Sequence, residues 1–238
     1  MRVISLGNVR FLQPARTALD LSDADIRHAL RAMLRATQSK DGLVLDELAL
    51  ARTRAVLDVA LIDAGLHGYE IKSDLDSLSR LPRQIEVFGR SCDTLTLVTV
   101  KKHATAAKQI IPSWWGLILA ERDQGSTITL TRERQAFENP AVDATESLNI
   151  LRRTELMRIL QANHSARHAS SASKRELVAM VLRVLGQREA RRVAIEILRF
   201  RRTWTIRQLN VASEAERLRH AVTRPTPNLS SLVPSLFA

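Results

Sequence analysis

The chain has 238 residues, of which 45% are hydrophobic and 26% charged, and it carries a formal net charge of +11. This composition is typical of a globular protein with a sizeable core and excludes a wholly disordered or collagen-like chain. Cys92 is the single cysteine, so no internal disulfide forms. No run approaches the ~20 apolar residues of a membrane span, and the first residues lack a signal peptide. We therefore expect a cytoplasmic protein without a membrane partner.

The first two thirds of the chain predict an α/β fold. A capping box at Ser22 to Asp25 predicts a helix that continues to about Thr37. Short apolar runs rich in branched residues then predict strands, and a helix from Leu78 to Phe88, with proline in its first turn, lies among them. The predicted strands are Gly42 to Leu50, Ala55 to Ile62, Leu66 to Lys72, Thr94 to Val100, Trp115 to Glu121 and Thr127 to Thr131.

The last third predicts helices and holds the whole charge excess. Residues 1–149 contain 19 basic and 19 acidic side chains, whereas residues 150–238 contain 17 basic and 6 acidic ones. The predicted helices are Leu148 to Ala162, Lys174 to Leu185 and Arg188 to about Trp204. We therefore predict an N-terminal extension (1–22), an α/β domain (23–146), a basic helical domain (147–220) and a flexible tail (221–238).

A neutral domain joined to a basic segment is typical of proteins that bind a polyanion. The predicted nucleic-acid contacts are five arginines along one side of the last helix and two lysines in a basic loop after a strand. They are Arg188, Arg191, Arg192, Arg199 and Arg202, with Lys101 and Lys102. Two alternatives stay open: a solvated helix face, or the docking of these helices or the tail on a protein partner.

Asp58 is a lone carboxylate inside a nearly continuous apolar strand, where an unpaired charge costs several kcal/mol. The next strand follows after residues 63–65, which suit a three-residue hairpin loop with glycine in a left-handed conformation. This register places Asp58 directly opposite Glu70, and Lys72 shares that face of the sheet while Ile71 points away.

Two carboxylates beside a backbone carbonyl suit Mg²⁺ or Mn²⁺, which prefer oxygen ligands and bind phosphate oxygens. Such an ion promotes phosphodiester hydrolysis. Lys72 would then orient the attacking water and stabilise charge on the phosphorus, because neighbouring carboxylates keep it charged. The alternative, in which Lys72 forms a salt bridge to both acids on a solvated sheet face, stays open.

Asp58 followed by Glu70-Ile71-Lys72 resembles the core motif of the PD-(D/E)xK nuclease superfamily. Gln84 to Phe88 resembles the Q-x-x-x-Y element of its RecB-like members. Gly68 to Asp74 is similar to the corresponding stretch of an uncharacterised bacterial and phage-associated family within that superfamily.

The resemblance covers roughly Asp25 to Glu121 and implies a restriction-endonuclease-like fold, a mixed central sheet flanked by helices. Leu57 stands where the nominal motif has proline, and Phe88 where it has tyrosine. The implied function is a Mg²⁺-dependent nuclease, with DNA favoured over RNA. The alternative is a catalytically inactive nuclease-fold protein that binds nucleic acid or a protein. The implied roles are metal binding by Asp58, Glu70 and the Ile71 carbonyl, catalysis by Lys72, positioning by Gln84, and an accessory acidic role for Glu47.

Overall fold

A computed structural model of the protein describes residues 20–50, 55–123, 127–167 and 169–207, with side chains up to residue 200. The predicted tail, nearly all of the predicted N-terminal extension and the side chain of Arg202 lie outside this description. The helices are α1 (Asp23–Thr37), α2 (Leu81–Phe88), α3 (Lys101–Ile110), α4 (Ala144–Asn149), α5 (Arg153–Ala162) and α6 (Lys174–Arg207). The strands are β1 (Leu43–Leu50), β2 (Ala55–Ile62), β3 (Leu66–Lys72), β4 (Thr94–Val100), β5 (Gly116–Arg122) and β6 (Ile128–Arg134).

The strands form one six-stranded sheet in the order β1-β2-β3-β4-β5-β6. The first three strands are antiparallel, β3, β4 and β5 run parallel, and β6 is antiparallel to β5. The two parallel connections need crossovers, which α2 and α3 provide. A mixed central sheet flanked by helices is therefore confirmed as the fold class.

Each face of the sheet buries a separate hydrophobic cluster. On one face α1 packs Ile26, Leu30 and Leu34 against alternate residues of β2 to β5. The opposite face packs against the remaining helices, and its cluster includes Leu66 of β3 together with residues of α4, α5 and α6. The predicted α/β and basic helical domains thus share one core, and the boundary between them stays a prediction.

The predicted helices differ from the structure in three places. Residues 101–103, predicted as a basic loop, form the first turn of α3. The sequence gives little sign of this helix, because its buried residues are the small Ala104 and Ala107, which produce only a weak apolar periodicity. The predicted helix 148–162 is divided, and Glu155 caps the backbone N–H of Arg152 at the start of α5. The two following predicted helices are joined in α6, which is interrupted at Gly186, where φ is 71°.

The β2–β3 hairpin has the predicted register, with Ile62 paired to Leu66. The structural reason for the glycine in its loop differs from the predicted one. Gly65 does not adopt a left-handed φ, so that part of the prediction is wrong. A Cβ atom at Gly65 would lie 2.8 Å from the carboxylate of Asp93, which accepts a hydrogen bond from the Leu66 N–H. Gly65 is therefore needed for a close approach between the hairpin and the start of β4.

None of the helices in the described ranges combines the length and the apolarity that crossing a membrane requires.

Candidate functional site

In both β1 and β2, the regular alternation of side chains between the two faces of the sheet is broken. The break in β2 is at Asp58, and the break in β1 is at the position opposite. Leu43 and Leu48 lie in the same core cluster although they are five residues apart, which regular alternation would place on opposite faces. Leu57 and Ala60 of β2 do the same. The β1–β2 ladder pairs residues on both sides of this point but omits Glu47 and Asp58, and Glu47 has a φ of 53°. Asp58 therefore lies at a local irregularity shared by both strands.

This irregularity changes how Asp58 meets β3. The β2–β3 ladder ends at Val59 and Tyr69, so the expected direct pairing of Asp58 with Glu70 is wrong. Instead, Oδ2 of Asp58 accepts a hydrogen bond of 2.8 Å from the backbone N–H of Ile71. The aspartate side chain thus takes the place of a backbone carbonyl of β2 at the edge of β3.

Asp58 is also held by Arg27 of α1, a residue that sequence reasoning missed. The guanidinium donates 2.5 Å to the Asp58 carbonyl and 3.1 Å to its Oδ1, and it pairs with Asp23 one helical turn away. The signal in the sequence was an arginine four residues after an acidic one at a helix start, but nothing local indicates that it reaches β2. Asp58 is therefore a paired carboxylate whose negative charge is partly neutralised.

Glu70, Lys72 and Gln84 form a cluster on the face of β3 that α2 covers. Glu70 and Lys72 are only 1% and 2% exposed. Oε1 of Glu70 accepts hydrogen bonds of 2.5 Å from both the Lys72 ammonium and the Gln84 amide. The structure brings these three residues together, and it contains the salt bridge between Lys72 and Glu70 that the alternative predicts, but this pair is buried beneath α2 and does not lie on a solvated sheet face.

The supporting residues hold this cluster in place. Gln84 lies one turn before Phe88, which is fully buried and anchors that face of α2 in the core. The Thr99 hydroxyl of β4 donates 2.9 Å to the carbonyl of Lys72 and ties the end of β3 to its parallel neighbour. Ile71 lies in the opposite cluster, so it points away from Glu70 as predicted.

One oxygen of the Glu70 carboxylate lacks a donor. Within the described residues, the buried Oε2 of Glu70 has no hydrogen-bond partner, and neither has the buried Oε1 of Gln84. Burial, and after it the negative charge of Asp58, raise the pKa of Glu70 to about 7 against the opposing effects of Lys72 and Gln84. The site therefore contains excess acceptor capacity, which a proton or a cation would satisfy.

Binding of a divalent cation here stays a prediction, since the described residues include no group of three or more histidine, cysteine and acidic side chains that could hold a metal ion. The chemistry of the donor set is hard oxygen, and the partnerless Glu70 Oε2 is an acceptor that a cation would satisfy. Both oxygens of Asp58 already accept one hydrogen bond each, but a carboxylate has about four acceptor positions, so capacity remains. Metal ligation by the Ile71 carbonyl stays a prediction, as does the role of Glu47, which is exposed opposite Asp58.

Lys101 and Lys102 lie near the cluster, at the carboxyl ends of the parallel strands. Both follow the carboxyl end of β4, which is paired in parallel with the carboxyl end of β3. Lys101 is exposed, whereas Lys102 contacts the backbone and the carboxylate of Asp74. These two lysines are the predicted basic residues that the fold brings near Lys72.

Two arginines of α6 lie near the opposite ends of these strands, where β4 and β1 begin. Arg191 pairs with Asp93, which precedes β4, and Arg199 lies 3.8 Å from Asp41, which precedes β1. Arg192 pairs within α6 with Glu189 and Glu196. Of the predicted basic face, Arg191, Arg192 and Arg199 are therefore paired with acids, whereas Arg188 is exposed and forms no ion pair within the described residues, as is also true of Arg175 and Arg183 in the same helix.

Fold and site together define a mixed α/β protein with a buried glutamate–lysine–glutamine cluster beside an arginine-paired aspartate. The chain belongs to the bacteriophage P4 protein cII family, whose sequence model matches residues 17–221. The predicted phage association is thereby confirmed.

A curated relative is protein cII of Enterobacteria phage P4, which is 29% identical over 86 residues. The match covers 36% of this chain and 33% of the relative, so the chain spans about a third of the relative's length. No solved structure matches the chain. Membership of the PD-(D/E)xK superfamily stays a prediction.

Proposed function

We propose that this protein is a metal-dependent nuclease with a restriction-endonuclease-like fold. The observation that carries the proposal is the Glu70 carboxylate: one oxygen holds Lys72 and Gln84, and the other is buried without a donor in the described part of the chain. A buried carboxylate oxygen without a donor can be satisfied by a proton, an ion or a water. A cation bound between Glu70 and Asp58 satisfies this oxygen.

Each residue of the site has a distinct task in this proposal. Gln84 and Lys72 fix the rotamer of Glu70 so that Oε2 faces the cation, and Arg27 and the Ile71 N–H fix Asp58. Bound Mg²⁺ or Mn²⁺ supplies polarisation of a phosphoryl oxygen and a lower pKa for water. The Lys72 ammonium, which donates a hydrogen bond to Glu70, stabilises negative charge that develops on the phosphate.

The charge distribution supports a nucleic-acid substrate, with DNA favoured. The exposed Lys101 and its neighbour Lys102 follow the carboxyl end of β4, which lies beside the carboxyl end of β3, where Lys72 is. These two lysines would contact phosphates next to the cluster. Phosphate contact by Arg188 stays a prediction.

The alternative is a catalytically inactive protein of the same fold that binds nucleic acid or a protein. The burial of both Glu70 and Lys72 favours it, because a substrate phosphate must reach groups that are at most 2% exposed. The Arg27 pair favours it as well, since it already neutralises part of the charge of Asp58.

The test is cleavage of labelled DNA and RNA by the full chain in Mg²⁺, Mn²⁺ or EDTA. Glu70→Gln and Lys72→Met should each lower cation-dependent cleavage by about 100-fold or more. Glu155→Gln is the matched control, because Glu155 is also buried, at 3% exposure, but caps α5.

Undiminished cleavage in both site variants would exclude this site. If the wild type binds nucleic acid but cuts neither substrate, and calorimetry detects no Mg²⁺ heat that Asp58→Asn abolishes, the inactive alternative is correct.

A further inference from the structure

A cavity of about 260 Å³ lies on the face of the sheet that α1 covers. Leu61 and Ile118, which belong to the α1 cluster, form part of its wall. The cavity is on the opposite face from Glu70 and Lys72, because Tyr69 is their alternate neighbour on β3. Its polar walls are His67 and Tyr69 of β3, Thr94 and Thr96 of β4, and Arg132 and Arg134 of β6.

The cavity is rich in donors, and none of the described residues that line it is acidic. Arg132 is exposed and forms no ion pair within the described ranges, and the Tyr69 hydroxyl forms no hydrogen bond there. Burial raises the pKa of Tyr69 and the charge of Arg132 opposes this, so the hydroxyl is a neutral donor close to a guanidinium. These two groups are available to a ligand.

Other groups in the cavity are held in fixed positions. Arg134 donates 2.7 Å to the Trp115 carbonyl and 3.0 Å to the Pro112 carbonyl, while Nδ1 of His67 lies 2.9 Å from the Thr94 hydroxyl. A β-bulge brings both arginines to the cavity, because Leu117 pairs with Arg134 and Ile118 with Arg132.

We propose that this cavity binds a phosphate monoester, the group that a mononucleotide and the end of a nucleic-acid strand both carry. The available Arg132 guanidinium and Tyr69 hydroxyl are donors to phosphate oxygens, and Arg134, held by two backbone carbonyls, adds a second fixed positive charge to a lining without acids. The site goes beyond the proposed nuclease function, since it lies on the other face of the sheet and uses none of the residues assigned to the cation.

The test measures binding of inorganic phosphate, AMP and adenosine to the full chain by calorimetry in EDTA, so that the result does not depend on cleavage. A 5′-phosphorylated oligonucleotide and the same oligonucleotide without the phosphate separate a strand end from a free nucleotide. Phosphate and AMP should bind and adenosine should not. Arg132→Gln should weaken AMP binding by about tenfold to a hundredfold and Tyr69→Phe by about threefold to tenfold.

The control is Arg35→Gln, which removes one exposed positive charge from α1 and should leave AMP binding unchanged. Titration with phosphate, followed by NMR, should shift the amide signals around His67 and Tyr69 in the unmutated protein. Equal loss in Arg132→Gln and Arg35→Gln, equal binding of AMP and adenosine, or shifts confined to other surfaces would each overturn the proposal.

Discussion

The raised pKa of Glu70 predicts an unusual dependence of stability on pH. Its folded-state pKa of about 7 lies above the ordinary value of 4.5, so the folded protein binds an additional proton between these values. The free energy of unfolding must therefore fall as the pH rises through this interval. The full difference corresponds to about 3 kcal/mol, most of which lies between pH 5 and pH 8.

Glu70→Gln removes the titrating group and keeps a side chain of the same shape. We expect urea unfolding, followed by tryptophan fluorescence, to show that the free energy of unfolding of the wild type falls by about 2–3 kcal/mol more than that of the variant between pH 5 and pH 8. Glu155→Gln, the buried control, should keep the wild-type dependence. Added Mg²⁺ should flatten the wild-type curve, because a cation at the carboxylate favours its charged form.

A constant difference in stability between the wild type and Glu70→Gln at every pH would refute this reasoning. It would mean that the pKa of Glu70 is not raised in the folded protein and that its carboxylate is satisfied. If this stability difference did not change with pH in EDTA, the main support for a cation site would also be lost.

Three further changes probe the architecture around the site, each measured by urea unfolding. Gly65→Ala should cost about 1–3 kcal/mol, because its Cβ would lie 2.8 Å from the Asp93 carboxylate; Asp93→Ala in the same background should recover part of that loss. Gly186→Ala should lower the free energy of unfolding by about 1–3 kcal/mol. The cost comes from backbone strain alone, since φ is 71° and no atom lies within 4 Å of the added Cβ. Equal stability of the variant and the wild type would contradict the interruption of α6. Arg27→Met should cost about 1–3 kcal/mol through lost hydrogen bonds to Asp58, and a loss that vanishes in high salt would show that these bonds are not formed.

The predictable part of the fold is the part with local signals. The bounds of β2, β3 and β4 agree with the sequence because branched apolar runs end at turn residues in each case. The helix α3 was missed because its buried residues are alanines, which give little hydrophobic contrast.

The candidate site divides in the same way. Glu70 and Lys72 share a face because residues two apart on any strand do so, and Gln84 reaches them from the next helix as the motif predicts. The pairing of Asp58 was predicted wrongly because strict alternation was assumed where β1 and β2 reverse their faces. The partner of Asp58, Arg27, is 31 positions away in the chain, and no local pattern indicates such a contact.

The sequence by itself determined the strands, the hairpin register, the uneven charge and the Asp58, Glu70 and Lys72 motif, because each depends on the order of neighbouring residues. Only the tertiary structure decided that the Glu70–Lys72 pair is buried and that Arg191 and Arg199 of α6 pair with acids at the end of the sheet where β4 and β1 begin. These properties depend on which distant elements pack together. Such ion pairs do not remove the excess of +11, which already counts the acids, and Arg175, Arg183 and Arg188 stay exposed without an ion pair in the described part of α6.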